Sequence, residues 1–116
     1  PNLGSQLYYS LAKISDGVVG NSSSGISEIP SLNVGTLNIG LRQSGRPIAD
    51  SVIDLKKVSY KSLKINLHRL LSKKFKDKII TSTNPFYQKN TDKNIISLIK
   101  KIIMSKRINY KKFYDL

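Results

Sequence analysis

The stretch that decides the fold is GVVGNSSSGISE, residues 17–28, because it runs from a β-branched pair through small polar residues into a helical pattern. Val18 and Val19 predict a short strand over residues 17–20, and residues 21–25 predict a polar loop. Apolar residues then return at helical spacing, at Ile26, Ile29 and Leu32. Strand, loop and helix in that order are the building unit of a parallel α/β sheet.

The flanking sequence extends this alternation. Leu7, Leu11 and Ile14 recur at i, i+4 and i+7, which predicts an amphipathic helix over residues 5–15. Downstream, we expect strands at residues 36–39 and 51–54, separated by a loop that includes residues 40–47. The sequence therefore predicts a parallel sheet with flanking helices.

The C-terminal half continues with predicted helices. Four leucines predict a helix over residues 61–75, and residues 78–81 predict a further strand. Asn84 and Pro85 predict a turn ahead of a last helix, which Asn90 or Thr91 would cap. The apolar residues of that last helix share one face: Ile95, Leu98, Ile99, Ile102 and Ile103.

Composition excludes several classes of protein. A chain of 116 residues with 39% hydrophobic residues is long enough for one core, and its lack of cysteine excludes disulfide frameworks and thiolate zinc sites. A single histidine argues against a multi-histidine metal site, and no cofactor is expected. No apolar run approaches a bilayer span, so we expect no membrane and a cytoplasmic location. The chain begins at Pro1 without a leader pattern, so we expect a fragment.

Positive charge is concentrated in one half of the chain. The formal net charge is +13, yet residues 1–55 hold three basic and four acidic residues. The lysines that follow are dispersed among Ile and Asn, and no aromatic stacking motif accompanies them. They favour a solvated surface without a nucleic-acid partner, although a salt-sensitive anionic partner stays open as the alternative.

The loop after the first predicted strand is suited to an anion. In a parallel sheet, ligands bind beyond the carboxyl ends of the strands. Ser22, Ser23, Ser24 and Gly25 combine hydroxyl donors with a backbone free to bend, which indicates a phosphate or diphosphate site. The alternative is an ordinary serine-rich helix cap, which would need one serine rather than three.

Three charged residues complete the candidate site. Glu28 lies on the first turn of the predicted helix, where it either favours the helix dipole or holds a pair of ribose hydroxyls. Arg42 and Arg46 lie in a glycine-bracketed loop at the same predicted edge, and guanidinium groups bind phosphate bidentately. Two surface arginines without a ligand are the alternative.

These motifs resemble the UDP-N-acetylglucosamine 2-epimerase family. The resemblance rests on residues 20–28, GNSSSGISE, followed by residues 38–46, NIGLRQSGR. Shorter matches are the Asn-Leu-Gly-Ser run from Asn2, the Ala-Asp-Ser-Val-Ile run from Ala49, an Asn-Pro-Phe run and a Lys-Phe-Tyr-Asp ending. The two linked motifs at fixed separation make the resemblance much more specific than a single glycine-rich loop.

The resemblance implies a two-domain enzyme of the glycosyltransferase-B type, with this chain as part of the Rossmann-like C-terminal domain that binds UDP. The N-terminal domain would be absent. It implies that Ser22 and Ser23 contact the UDP phosphates, Glu28 the ribose hydroxyls, and Arg42 the phosphate and sugar. Family enzymes remove the proton at sugar C2, expel UDP and add water, giving an epimerised amino sugar for sialic-acid-like synthesis. A homo-oligomer is expected for the full-length enzyme.

Departures from the family pattern favour its hydrolysing branch. The non-hydrolysing branch usually carries an Asp-Ser-Gly-Gly loop and a later Glu-Arg-Pro, and this sequence has neither. Residues 87–89 stand where the family has a glycine-rich turn after Asn84 and Pro85. Because Glu28 is assigned to binding and His68 lies on a polar helix face, we expect no catalytic residue in this chain and no turnover by it alone. A non-hydrolysing epimerase, a non-catalytic nucleotide-binding module and a basic adaptor remain alternatives.

Overall fold

A computed structural model describes residues 3–105. Its sheet has three parallel strands in the order β1 (Val18–Gly20), β2 (Thr36–Ile39) and β3 (Val52–Leu55). The predicted strands at residues 17–20, 36–39 and 51–54 are thus confirmed within one residue. The predicted α/β class, with a parallel sheet and flanking helices, is confirmed as well.

The helices surround this sheet in sequence order. They are α1 (Gly4–Ile14), α2 (Ser24–Ser27), a 3-10 turn (Ile29–Leu32), α3 (Tyr60–Leu71), α4 (Lys73–Ile80) and α5 (Thr91–Met104). The expected strand at residues 78–81 is wrong, because residues 78–80 are the end of α4 and Thr81 lies in the turn after it. Phe75 and Ile79 lie four residues apart and are both buried, which is the spacing of one helix face.

The predicted helix over residues 61–75 is two helices. Ser72 has an extended backbone, with ψ 143°, and its hydroxyl accepts a hydrogen bond from the Phe75 N–H. Serine is a preferred N-cap residue, so Ser72 begins α4 at the point where α3 ends. This break turns the chain so that both helices pack on one face of the sheet.

The core lies on both faces of the sheet. Alternation along the strands sends Leu37, Ile53 and Leu55 to one face, where they pack with three buried residues of α3 and α4: Leu70, Phe75 and Ile79. The other face carries two smaller clusters, formed by Ala12, Ile29 and Val34 and by Ile26, Ala49 and Val52.

Helix α1 packs through a different face from the one its leucines predict. Ala12 is buried and Tyr8 packs beside it, whereas Leu7 and Leu11 are exposed. The helix itself is confirmed, but the leucine stripe that indicated it is not its packing face. The small side chain at Ala12 allows α1 to approach the Ile29 and Val34 cluster closely.

Helix α5 buries none of its residues. Its predicted apolar face exists, yet Ile99 and Ile102 are each about half exposed. Asn90 precedes α5 without a side-chain capping bond, and the Thr91 hydroxyl donates to the Gln88 carbonyl instead. Within residues 3–105, no helix is long and apolar enough to cross a bilayer.

We predict that Leu70→Ala lowers the free energy of unfolding by about 2–5 kcal/mol, because it leaves a cavity among the buried residues of the larger cluster. Leu71→Ala is the matched control, since Leu71 is the next residue of α3 and is half exposed. Urea denaturation of both variants measures the difference. Equal losses would contradict the assignment of Leu70 to the core.

Candidate functional site

The predicted phosphate loop lies at the carboxyl end of β1. Ser22 and Ser23 follow the strand directly, and α2 begins at Ser24. Gly25 lies so close to β2 that a Cβ atom there would be 2.9 Å from Thr36 Cγ2. The absence of a side chain at Gly25 therefore lets the loop lie directly on the neighbouring strand.

A groove opens beside this loop. It has a volume of about 280 Å³ and is lined by Tyr8, Val18, Val19, Gly20, Asn21, Ser22, Gly25 and Thr36. The Thr36 side chain is 2% exposed, and its hydroxyl makes no hydrogen bond to any residue in the described part of the chain. A buried hydroxyl without a partner at a groove is a polar group that a ligand or water can satisfy.

Backbone N–H groups of the loop bond within the loop itself. The Ser24 N–H donates to Ser22 Oγ at 3.3 Å, and the Gly25 N–H donates to the Ser22 carbonyl at 3.2 Å. The Ile26 N–H donates to the Ser23 carbonyl at 3.0 Å. The exposed Ser23 hydroxyl has no partner among residues 3–105, so it is a donor that this loop can offer to an anion.

The arginine loop is tied to the serine loop by a buried glutamine. Gln43 is 5% exposed, and its Nε2 donates to the Asn21 carbonyl at 2.8 Å. The loop leaves β2 through Gly40, whose φ of +83° disfavours other residues. Because β1 and β2 are parallel, both loops begin at the same edge of the sheet, as the sequence predicts.

The two arginines are available to a ligand. Arg42 and Arg46 are exposed, and neither side chain forms an ion pair or hydrogen bond with the residues the structure describes. The structure places their loop beside the serine loop but does not bring their guanidinium groups into contact with it. Two unpaired cations at this edge suit a polyanionic ligand.

Glu28 is held by hydroxyl groups. Ser24 Oγ donates to Glu28 Oε2 at 2.6 Å and lies 3.1 Å from the Tyr8 hydroxyl. A hydrogen bond from the Tyr9 phenol to Glu28 raises the pKa of Tyr9 above its ordinary value, and the carboxylate charge acts in the same direction. The Ser24 hydroxyl therefore contacts this exposed carboxylate directly, and the Tyr8 hydroxyl of α1 contacts the serine in turn.

A polar pair lies across β2 and β3 at the same edge. Asn38 is 2% exposed, and its Nδ2 donates to Asp54 Oδ1 at 2.8 Å, in register across the two strands. Lys56 lies 4.0 Å from the other Asp54 oxygen. Asp54 is thus engaged on both oxygens, which leaves it poorly placed to take a proton from a ligand.

Sequence patterns predict the serines, Glu28 and the arginines but not their supports. Gln43, Thr36 and Tyr9 were not among the expected site residues. Gln43 could have been found from its place between two arginines in a glycine-bracketed loop, whereas nothing in the sequence distinguishes Tyr9 from a packing aromatic. His68 is exposed, as its position on the polar helix face predicts. No cluster of metal-ligating residues occurs in residues 3–105.

Comparison with known proteins places this site in a family. The family model described as UDP-N-acetylglucosamine 2-epimerase matches residues 1–100, which include both loops and the whole sheet. The chain belongs to the UDP-N-acetylglucosamine 2-epimerase family. The resemblance carried by the two linked motifs is thereby confirmed.

Three individual relatives are similar to this chain, and two of them are named as hydrolysing 2-epimerases. Polysialic acid biosynthesis protein P7 of Escherichia coli is 41% identical over 112 residues, 97% of this chain and 28% of that protein. GDP/UDP-N,N'-diacetylbacillosamine 2-epimerase (hydrolyzing) of Campylobacter jejuni is 39% identical over 115 residues, 99% of this chain and 29% of the enzyme. UDP-N,N'-diacetylbacillosamine 2-epimerase (hydrolyzing) of Legionella pneumophila is 44% identical over 59 residues, 51% of this chain and 15% of the enzyme.

The chain spans less than a third of the length of these relatives. Its match to the first two covers nearly all of its own residues, so the serine loop, Glu28 and the arginine loop all lie within the shared part.

We predict that Gln43→Ala lowers the free energy of unfolding by about 1–3 kcal/mol, because it removes a buried hydrogen bond between two loops. The amide resonances of Asn21 and Ser22 should shift with it in a heteronuclear NMR spectrum. Gln88→Ala, at an exposed glutamine, is the matched control and should change neither. Unchanged Asn21 and Ser22 resonances in Gln43→Ala would show that the tether does not form.

Proposed function

We propose that this chain is the nucleotide-sugar-binding part of a hydrolysing 2-epimerase that acts on a UDP-linked N-acylated amino sugar. The observation that carries the proposal is the meeting of the serine loop, Glu28 and the arginine loop at one sheet edge, linked by Gln43 and Asn21. Family membership and the names of the Campylobacter and Legionella relatives support it.

The chemistry of the edge suits a nucleoside diphosphate. The Ser22 and Ser23 hydroxyls donate to phosphate oxygens. Gly25, which has no side chain, lets the loop lie directly on β2. Arg42 and Arg46 balance the negative charge of the diphosphate, and a guanidinium presents paired donors to phosphate oxygens. Glu28 accepts hydrogen bonds from the two ribose hydroxyls.

Proton transfer at the sugar is assigned to residues outside this chain. Removing the C2 proton requires a base within hydrogen-bond reach of that carbon. Glu28 is committed to the ribose, and Asp54 is engaged by Asn38 and Lys56. In the complete enzyme, another domain supplies the acid and base, UDP leaves by elimination and water adds to the remaining sugar.

The setting of the complete protein follows from the same proposal. This chain belongs to the C-terminal Rossmann-like half of a glycosyltransferase-B-type enzyme, which is cytoplasmic and forms homo-oligomers. The epimerised sugar feeds the synthesis of sialic or related nonulosonic acids, in keeping with the name of the Escherichia coli relative. No resident cofactor and no nucleic acid take part.

We predict that UDP shifts the amide resonances of Ser22–Glu28 and Arg42 saturably when it is titrated into the labelled chain. Arg42→Ala and Ser23→Ala should each weaken binding by roughly ten-fold or more, since each removes a charge-assisted hydrogen bond to phosphate. Lys61→Ala, at an exposed lysine on α3, is the matched control for charge and should leave binding unchanged.

Salt separates this proposal from attraction to the dispersed lysines. Binding at a built diphosphate site should survive moderate salt, whereas lysine-driven binding should fall steeply and respond to Lys61→Ala. A folded chain that shows no saturable shift with UDP contradicts the proposal. Release of UDP from UDP-N-acetylglucosamine by the isolated chain would contradict the assignment of the acid and base elsewhere.

A further inference from the structure

Glu28 combines an exposed position with an ordered set of partners. A glutamate on a solvent-facing turn can adopt several rotamers, and each rotamer aims its carboxylate differently. Here, Ser24 lies one helical turn before Glu28, and its hydroxyl donates to Oε2 at 2.6 Å. That hydrogen bond favours one orientation of the Glu28 carboxylate.

The Tyr8 hydroxyl completes this network. A serine hydroxyl has one proton, and the short contact to Glu28 shows where the Ser24 proton lies. Tyr8, 3.1 Å from Ser24 Oγ, then donates its own proton to the serine oxygen. Tyr8 of α1 therefore orients Ser24, and Ser24 in turn orients Glu28.

The sheet holds α1 in the place that this network needs. Tyr8 and Ala12 pack against the cluster of Ile29 and Val34, which lies beneath the end of the Glu28 turn. The core, rather than the loop, therefore anchors the Tyr8 side chain.

We propose that Ser24 is a positioning residue that aims the Glu28 carboxylate at the two ribose hydroxyls of the nucleotide, with Tyr8 orienting Ser24. This inference rests on the proposed function. A carboxylate has about four lone-pair sites, so one donor from the protein leaves sites for two ribose hydroxyls. The same donor offsets part of the negative charge of Glu28 where a diphosphate lies nearby.

This inference also separates the three serines by role. The Ser24 proton is committed to Glu28 and its N–H to Ser22 Oγ, so Ser24 has little left to give a phosphate. The phosphate-binding role then falls to Ser22 and Ser23. Ser24 affects affinity through the ribose end of the nucleotide instead.

The test compares UDP with 2',3'-dideoxy-UDP, which lacks both ribose hydroxyls. The unaltered chain should bind UDP roughly ten-fold more tightly than the dideoxy nucleotide. Tyr8→Phe and Ser24→Ala should each weaken UDP binding by roughly three- to ten-fold and leave dideoxy binding within about two-fold. Calorimetric or NMR titration of the chain with each nucleotide gives these ratios.

Matched controls separate positioning from general damage. Tyr60→Phe alters an exposed tyrosine at the start of α3, and Ser10→Ala removes a hydroxyl that bonds to its own helix at Gln6. Both should bind the two nucleotides like the unaltered chain.

The outcomes distinguish this inference from the proposed function. If UDP binds but Ser24→Ala loses no affinity, or loses it equally for both nucleotides, the positioning role is wrong and the proposed function stands. If the folded chain binds no UDP, the proposed function fails and the ribose role fails with it.

Discussion

The close approach of Gly25 to Thr36 is the contact on which the site depends. With no Cβ atom at Gly25, the turn of α2 lies directly on β2, and any larger side chain would meet Thr36 Cγ2 at 2.9 Å. This close contact fixes the distance between the serine loop and the sheet. It therefore also sets the direction in which the Glu28 side chain points. It also buries the Thr36 hydroxyl beside the groove. A single small residue thus sets the geometry of one whole side of the candidate site.

The parallel register converts this local contact into a two-loop site. Gly20 pairs with Asn38 and Asn38 with Asp54, so the three strands end at one edge and their loops leave side by side. An antiparallel neighbour would have sent the arginine loop to the opposite end. Gln43 then removes the remaining freedom by bonding to Asn21 across the gap. The parallel sheet brings the two loops close together, and the buried Gln43 amide fixes how they are aligned.

Local pattern predicts elements well here and predicts burial poorly. The β2 strand follows from the sequence because Leu37 and Ile39 alternate with polar residues between two glycines, Gly35 and Gly40. The leucines of α1 and the isoleucines of α5 predict helices correctly, but periodicity says only which residues share a face. Which face packs depends on partners distant in sequence, and Ala12 takes that place in α1 because it is small. The strand prediction for residues 78–81 failed for a related reason. Two adjacent isoleucines favour a strand, and only the burial of Phe75 and Ile79 on one face shows that this segment is helical.

The site shows the same division between chemistry and support. The sequence indicates the chemistry of the site through hydroxyls, a carboxylate and guanidinium groups at fixed spacing. The structure brings the loops that carry them together. Their supports come from α1, 16 residues before the serine it orients, through hydroxyl contacts that no local pattern encodes. Three successive serines look equivalent as letters, yet one proton at Ser24 cannot serve both a carboxylate and a phosphate. Counting donors against acceptors therefore separates residues that composition and spacing leave identical.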